Sequence, residues 1–327
     1  MSTGTNRSLP TGYQIEGYTI DRPISRGGFS IVYRATDSNN QVVAVKEYLP
    51  SGLVLRTEGS RVAASSLENM TAFRYGMKCF FEEGKALSTI NHNNVVRVLN
   101  FFRANETVYM VMKYERGRTL QQYIQAKQGM LPERFVRYVF TELLNGLREV
   151  HAKRLLHLDL KPANIFIRTD GTPILLDFGA ARQILVANQS ITAPMYTPGF
   201  AAPEQYREKD ADKCGPWTDI YGIGASLYAC FAAFAPQSAD SRVSKDHYIP
   251  AHRIWGDMYT REILDVVDWC LRLDPTERPQ SVFQLQKLLR PPKREVQTST
   301  FDAVKKWLGI DKTPASQNSK SSSQGSR

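Results

Sequence analysis

Residues 157–179 read HLDLKPANIFIRTDGTPILLDFG, a run in which separated polar side chains alternate with short apolar stretches. Asp159 and Lys161 offer a general base and a cation, and Asn164 and Asp177 offer oxygen ligands suited to a hard divalent metal ion. The apolar stretches around the Asp-Gly pair predict a strand, a turn and a second strand. Such a hairpin can bring Asn164 and Asp177 onto one ion. Because a purely structural loop needs no such set of polar groups, we interpret this stretch as part of an active site.

A glycine-containing turn, ISRGGFSIV, lies between two predicted strands near the start of the chain. Small residues at such a turn let backbone N–H groups approach phosphate oxygens closely. An ordinary hairpin turn explains the same residues equally well, and the turn is not a Walker loop because no Gly-Lys-Ser/Thr follows. The residues of the turn are Ile24, Ser25, Arg26, Gly27, Gly28, Phe29, Ser30, Ile31 and Val32.

Lys46 is flanked by apolar residues in the predicted strand VVAVKEY. Burial of a lysine is costly unless it meets an anion, so a carboxylate or a phosphate is expected beside it. Glu83, which faces inward on the predicted helix FFEEGKAL, can supply that carboxylate. The alternative is a surface lysine whose aliphatic stem covers apolar neighbours.

The local pattern changes from strand-like to helix-like about a third of the way along the chain. β-Branched and aromatic runs separated by Gly, Ser and Asn predict an antiparallel sheet, and apolar residues at helical spacing predict helices. The predicted strands are 18–24, 31–36, 42–48, 95–104 and 107–114, and the predicted helices include 73–90, 120–128, 133–153 and 220–235.

Size and composition predict a globular protein, with 327 residues of which 42% are hydrophobic. Of the formal net charge of +10, residues 291–327 contribute +4, from seven Lys or Arg and three Asp or Glu. The remaining charge is diffuse and predicts no specific nucleic-acid site. The four widely spaced cysteines are typical of reduced thiols. The start of the chain has no apolar leader, and the apolar stretch 220–235 is shorter than the roughly 20 residues of a membrane span, so we expect a cytoplasmic protein without a transmembrane segment.

The order and spacing of these motifs resemble the eukaryotic-like serine/threonine protein kinase family, in a style closer to its bacterial than to its animal members. The resemblance implies an α+β, bilobed protein kinase fold over residues 18–290. The N-lobe, 18–113, is expected to hold a five-stranded antiparallel sheet and one helix, and the C-lobe, 114–290, to be mostly helical. A flexible N-terminus, 1–17, and a basic, Ser-rich tail, 291–327, complete the expected organisation.

The resemblance also assigns roles to the polar residues. Asp159 corresponds to the catalytic base and Lys161 to a cation near the transferred phosphoryl group, while Asn164 and Asp177 correspond to ligands of Mg²⁺, with Mn²⁺ as an alternative. Lys46 corresponds to the lysine that holds the α- and β-phosphates of ATP. The other implied ATP-binding residues are Glu83 as the helix partner of that lysine, the turn 24–32 as the phosphate lid, Met112 as the gatekeeper, Lys113 to Glu115 as the hinge, and Val32, Ala44 and Phe166 around the adenine.

The expected acceptor is a serine or threonine hydroxyl. A lysine two residues after the catalytic aspartate is the family's serine/threonine pattern, and Thr197 matches the threonine that bonds to both Asp159 and Lys161. Three further residues correspond to structural ties of the family: Glu204, which ends the activation segment that begins at Asp177, Arg278, which pairs with Glu204, and Asp219, which anchors the catalytic loop around Asp159.

Two features depart from the family's pattern. Ser25 and Ser30 replace the first and third glycines of the lid, and serine limits backbone conformations with positive φ, which would weaken closure over a nucleotide. Leu158 replaces the arginine that ordinarily binds a phosphorylated residue of the activation segment. We therefore expect activity that does not require phosphorylation of this segment, in which Ser190 and Thr192 are candidate autophosphorylation sites.

Two segments have roles that the sequence leaves open. Residues 47–72 form a longer connection than the family usually has, and this insertion could position the Glu83 helix, receive a partner, or be a solvated surface loop. Residues 301–310, FDAVKKWLGI, predict a short amphipathic helix that could dock on the kinase itself, on a partner or on an anionic surface.

The sequence therefore predicts an ATP-dependent kinase that phosphorylates serine or threonine hydroxyls of protein substrates. The rivals are a pseudokinase or scaffold of the same fold and a small-molecule phosphotransferase of a related fold. The joint presence of Lys46, Glu83, Asp159, Asn164 and Asp177 argues against the first. The long activation segment, which builds a peptide-binding shelf in protein kinases, argues against the second.

Overall fold

The computed structural model describes residues 6–178, 196–206 and 213–290, together with Val304 and Trp307. The strands are β1 (Gln14–Ile15), β2 (Tyr18–Arg26), β3 (Ser30–Thr36), β4 (Val42–Tyr48), β5 (Val54–Arg56), β6 (Val62–Ala64), β7 (Val98–Ala104), β8 (Thr107–Lys113), β9 (Gly117–Thr119), β10 (Ile165–Arg168) and β11 (Pro173–Leu175). The main sheet has six antiparallel strands in the order β1-β2-β3-β4-β8-β7. The five predicted strands are all present, and the two-residue β1 adds a sixth.

The strand register decides which side chains share a face of the main sheet. Val32 lies opposite Lys46 on neighbouring strands, and Ala44 lies opposite Met112. Because side chains alternate along a strand and directly paired residues point to the same side, these four form one face. Glu47, the next residue along β4, points to the other face.

Helices are the main regular structure among the described residues after residue 119, as predicted. The helices are α1 (Leu67–Ser88), α2 (Leu120–Lys127), α3 (Glu133–Ala152), α4 (Pro216–Ala232), α5 (Ala239–Ser244), α6 (Ala251–Trp255), α7 (Arg261–Cys270) and α8 (Val282–Leu289). The apolar helix α4 packs against the long amphipathic helix α3 and against α7, and α8 packs against both α3 and α7. These four helices form the core of the C-lobe. Within the described ranges, none of the helices combines the length and the apolar character of a membrane span.

Helix α1 lies on the face of the main sheet that carries Lys46. The ring of Tyr48, two residues after Lys46, stacks on Phe73 of α1 and packs against Phe80. The distances between ring centroids are 5.8 and 5.5 Å. The helix begins with Ser66 as its N-cap, whose hydroxyl accepts a hydrogen bond from the Asn69 amide. This packing fixes the position of the helix that carries Glu83.

Residues 6–17, which were expected to be flexible, are instead packed against the N-lobe. Leu9 is 2% exposed, and its amide donates a hydrogen bond to the Tyr33 hydroxyl. The Asn6 side chain donates to the Val54 carbonyl and accepts from the Arg56 amide, as a neighbouring strand would. Asn6 therefore contacts the insertion, and Leu9 packs into the core of the N-lobe.

The insertion 47–72 contains an ordered hairpin, so the solvated-loop alternative is wrong. Strands β5 and β6 pair with each other, and the apolar side chains of Leu53, Val54 and Val62 are buried. The hairpin leads directly into the N-cap of α1. Its position favours the alternative in which the insertion supports the Glu83 helix.

Candidate active site

Three side chains surround the Asp159 carboxylate. Lys161 Nζ donates to Asp159 Oδ1 at 3.0 Å and to Thr197 Oγ1 at 2.7 Å. The Thr197 hydroxyl lies 3.3 Å from Asp159 Oδ1, and Asn164 Nδ2 donates to Asp159 Oδ2 at 2.8 Å. The structure thus brings together four residues from the sequence prediction and orients the carboxylate by three donors.

The hairpin of β10 and β11 brings Asn164 and Asp177 together. Ile165 pairs with Leu175, and the Leu176 amide donates to the Asn164 carbonyl at 2.8 Å. The Asn164 amide nitrogen also lies 3.4 Å from the Asp177 carbonyl oxygen. This adjacency is the geometry that the strand-turn-strand pattern predicted.

The side-chain oxygens of Asn164 and Asp177 suit a divalent metal ion. The side-chain nitrogen of Asn164 is directed to Asp159, and among the described residues no donor reaches its side-chain oxygen. That oxygen and the Asp177 carboxylate are hard ligands of the kind that Mg²⁺ prefers. The two residues therefore fit the predicted metal-binding role.

Lys46 is buried beside Asp177, which excludes the surface-lysine alternative. Its side chain is 6% exposed, and Nζ lies 3.2 Å from Asp177 Oδ1. The ammonium group also sits 5.3 Å above the ring centroid of Phe80. Glu83 is buried too and lines the same small cavity as Lys46. Glu83, the carboxylate that the sequence associated with this lysine, and Asp177 therefore both lie on the side of the sheet that carries Lys46.

The predicted lid divides into an exposed part and a buried part. Residues 24–28 are exposed, whereas Ser30 is 8% exposed and lines the cavity of Lys46 together with Phe29. The turn is closed by the Gly27 amide, which donates to the Ser30 carbonyl at 2.9 Å. None of the residues 24–32 has a positive φ. In this conformation serine at the two glycine positions therefore carries no backbone strain, and its expected effect on closure over a nucleotide stays a prediction.

The residues predicted to bind adenine lie on two different sheets. Ala44 and Met112 are buried and face each other across β4 and β8 in the main sheet. Phe166 lies on β10, where it pairs with Thr119. In the predicted hinge, Glu115 forms ion pairs with Lys113 and Arg168, both at 3.3 Å. The adenine contacts themselves stay a prediction.

Asp219 of α4 binds the backbone of the catalytic loop, just before Asp159. Its carboxylate accepts hydrogen bonds from the amides of His157 at 2.9 Å and Leu158 at 2.7 Å, and it lies 2.8 Å from His151 Nε2. Leu158 adopts a left-handed backbone conformation, with φ of 62°, and its carbonyl accepts a hydrogen bond from Gln205 Nε2. The backbone around Asp159 is therefore fixed on both sides.

The pKa values of His157 and Asp219, beneath this loop, both lie below their ordinary values. Burial lowers the pKa of His157, whose ring stacks on Phe178 at 4.4 Å. Burial alone would raise the pKa of Asp219, but the hydrogen bond and the charge of His151 outweigh it and hold that pKa below its ordinary value. The folded protein therefore favours a neutral His157 and an ionised Asp219.

Glu204 and Arg278 form the buried ion pair that the resemblance implied. Two guanidinium nitrogens of Arg278 lie 2.8 and 3.0 Å from the two carboxylate oxygens of Glu204. Thr218, beside Asp219 on α4, also donates to Glu204 at 2.8 Å. The end of the activation segment is thereby tied to the helix that supports the catalytic loop.

Three contributors to the site were not predicted from the sequence. Phe80 lies under the Lys46 ammonium group, Gln205 fixes the catalytic loop, and Ser51 donates through both its amide and its hydroxyl to the Gly28 carbonyl of the lid. Phe80 could have been found from its spacing of three residues from Glu83. The other two form contacts across long sequence separations that no local pattern reports.

Comparison with known proteins places this geometry among protein kinases. The family model for the protein kinase domain matches residues 18–290. The serine/threonine-protein kinase PknL of Mycobacterium tuberculosis is 29% identical over 245 residues, which is 75% of this chain and 56% of the relative. The probable serine/threonine-protein kinase PknB of Lactococcus lactis is 29% identical over 230 residues, 69% of this chain and 33% of the relative. The chain thus spans between a third and a little over half of these relatives.

Solved structures show the same architecture. The structure of PpkA-294 in its apo form is 34% identical in sequence and superposes with a TM-score of 0.78 over 86% of this chain and 99% of that chain. The PknI kinase domain of Mycobacterium tuberculosis has a TM-score of 0.64 over 86% of this chain and 98% of that chain, at 20% identity. At that identity the second likeness supports the fold alone.

Proposed function

The chain belongs to the protein kinase family, and from that premise we propose that it transfers the γ-phosphoryl group of ATP to serine or threonine hydroxyls of protein substrates. The observation that carries the proposal is the Asp159 carboxylate, which is oriented by Lys161, Asn164 and Thr197. A carboxylate held in this way can both align a hydroxyl and accept its proton.

The division of labour follows from the charges. Asp159 accepts the proton of the acceptor hydroxyl while the hydroxyl oxygen bonds to the γ-phosphorus. The bond between that phosphorus and the β-γ bridging oxygen breaks, which releases ADP. Lys161, at 3.0 Å from Asp159, is placed to neutralise charge on the transferred group. Lys46 is the buried cation for the other phosphates of ATP, and its contact with Asp177 supports that role.

A divalent metal ion bound with ATP would neutralise phosphate charge in this site. Asn164 and Asp177 are the residues that would hold it, since their oxygens match Mg²⁺. We propose Mg²⁺ as the preferred ion, with Mn²⁺ as a substitute. Turnover should fall to background with a chelator and return with either ion.

We also propose that activity does not need phosphorylation of the activation segment. Leu158 stands where the family's phosphate-binding arginine would be, and backbone hydrogen bonds to Asp219 and Gln205 support the loop in its place. Ser190 and Thr192 lie outside the described residues. Replacing both by alanine should leave turnover within about threefold of the unmodified chain, because none of these supports involves their hydroxyls. A loss of about 100-fold or more would contradict this proposal.

A transfer assay separates the proposed function from its rivals. The chain would be incubated with γ-labelled ATP, Mg²⁺ and either a generic protein acceptor or a panel of small aminoglycoside and choline acceptors, beside Asp159→Asn. We expect label on serine and threonine of the protein acceptor and none with the variant. Label on small acceptors alone would favour the small-molecule phosphotransferase, and ATP binding without any transfer would favour the pseudokinase.

A further inference from the structure

Two residues of the basic tail are packed on the C-lobe, far beyond the last helix of the domain. Val304 and Trp307 are both helical and are three residues apart, which puts them on the same side of a helix. Val304 is only 2% exposed. Val304 belongs to the cluster of buried apolar side chains that forms the core of the folded protein, and Trp307 packs against that cluster.

The surface that receives Trp307 consists of one residue pair on α2 and one residue at the start of α3. The Trp307 ring centroid lies 4.3 Å from that of Phe135 and 6.1 Å from that of Tyr123. Lys127, one helical turn after Tyr123, places its ammonium group 5.7 Å from the same ring. Tyr123 and Phe135 also pack against each other at 5.8 Å. Together these three side chains form a cradle, which we call the α2–α3 cradle.

We propose that the α2–α3 cradle is a docking site for the chain's own C-terminal tail, with Trp307 as the anchor. The sequence left three occupants open for the tail: the kinase itself, a partner and an anionic surface. Of the two apolar side chains that a partner or a lipid surface would need, Val304 is already buried and the Trp307 indole is already partly buried against the C-lobe. A lysine over the indole face adds a specific attraction that does not depend on a third molecule.

The location of the cradle links the tail to the active site. Helix α2 begins one residue after the hinge-proximal strand β9, and it packs against residues 162–164, the turn that contains Asn164. Docking of Trp307 on α2 therefore stabilises a helix that also contacts the turn of the proposed metal ligand Asn164. Release of the tail is expected to loosen α2 and α3 first.

The test is hydrogen exchange on the full-length chain, with variants on both sides of the contact. Trp307→Ala should speed amide exchange in α2 and the first turn of α3 by about tenfold, since two aromatic contacts and one cation–π contact are lost together. Trp307→Phe, which keeps a ring, should restore most of the protection. Ser322→Ala in the Ser-rich end of the tail is the matched control and should match the unmodified chain.

A double-mutant cycle tests the contact itself. Tyr123→Ala and Trp307→Ala should each lower the thermal midpoint, and the double variant should lower it by clearly less than the sum, because both changes remove the same contact. Additive shifts, or unchanged exchange in α2 with Trp307→Ala, would overturn the proposal.

Dilution and added vesicles test whether the α2–α3 cradle is occupied by the tail of the same chain. Protection of α2 should not change over a 100-fold range of protein concentration, because the tail is on the same chain. Protection that disappears on dilution would instead assign the cradle to a second copy's tail. Loss of protection upon addition of phosphatidylserine vesicles at physiological salt would assign the tail to an anionic surface. Either result would overturn docking of the tail on its own C-lobe.

Discussion

Replacement of Arg56 by methionine should destabilise the N-lobe strongly, because it removes the cation that meets a fully buried carboxylate. Glu47 is 0% exposed on the outer face of the main sheet. Its oxygens accept hydrogen bonds from Tyr33 at 2.7 Å, from Tyr109 at 2.5 Å and from Arg56 at 2.5 Å. Arg56 also donates to the carbonyl of Arg7, so the cluster joins the sheet, the insertion hairpin and the start of the chain.

The magnitude follows from this burial. Removing one partner of a buried ion pair typically costs about 3–5 kcal/mol, because the remaining charge is left in a poorly solvated site. Removing both charges with well-packed apolar residues is often close to neutral. Arg56→Met should therefore cost about 3–5 kcal/mol, and the pair Glu47→Leu with Arg56→Met should recover most of it.

Urea unfolding followed by circular dichroism measures this difference directly. Arg61→Met is the matched control, because Arg61 belongs to the same hairpin but is exposed, and surface substitutions usually stay within about 0.5 kcal/mol. If Arg56→Met changes the free energy of unfolding no more than Arg61→Met does, the cluster does not hold the insertion in place, and the reasoning is wrong.

Two further predictions concern pH and backbone geometry. The lowered pKa values of His157 and Asp219 mean that the unfolded chain binds more protons than the folded one, so stability should fall as the pH drops below about 6.5 and fall further below about 4. Thermal midpoints measured between pH 7.5 and 4 check this, and a midpoint that is flat or rises towards acid would contradict it. Gly199 has φ of 86°, and a Cβ there would lie 2.7 Å from Ala235 Cβ. Gly199→Ala should therefore lower the free energy of unfolding by about 1–3 kcal/mol and displace the nearby Thr197, and an unchanged midpoint and turnover would refute this.

The local part of the site could be predicted from the sequence. Asp159, Lys161 and Asn164 lie within six residues, and the hairpin that follows carries Asp177 back to them, so motif spacing and strand pattern were sufficient. The helix that carries Glu83 could also be predicted locally, because its apolar residues recur at helical spacing.

Contacts over long sequence separations could not be predicted. The Glu47 cluster depends on the register of three strands and on a hairpin whose sequence resembles a polar loop. The Asn6 side chain hydrogen-bonds to an edge of that hairpin. Residues 6–17 were expected to be flexible because the sequence of a short segment does not show that a neighbouring strand is available to bind it.

Nucleotide titration of two variants tests most directly whether these residues share one ATP. Lys46→Met removes the phosphate cation, and Asp159→Asn removes the base but leaves the Lys46–Asp177 pair intact. By calorimetry with ATP and Mg²⁺, Asp159→Asn should bind nearly as well as the unmodified chain while its turnover falls by about 100-fold or more, and Lys46→Met should lose most binding. Turnover that survives in Asp159→Asn, or unchanged ATP binding in Lys46→Met, would contradict the proposed site.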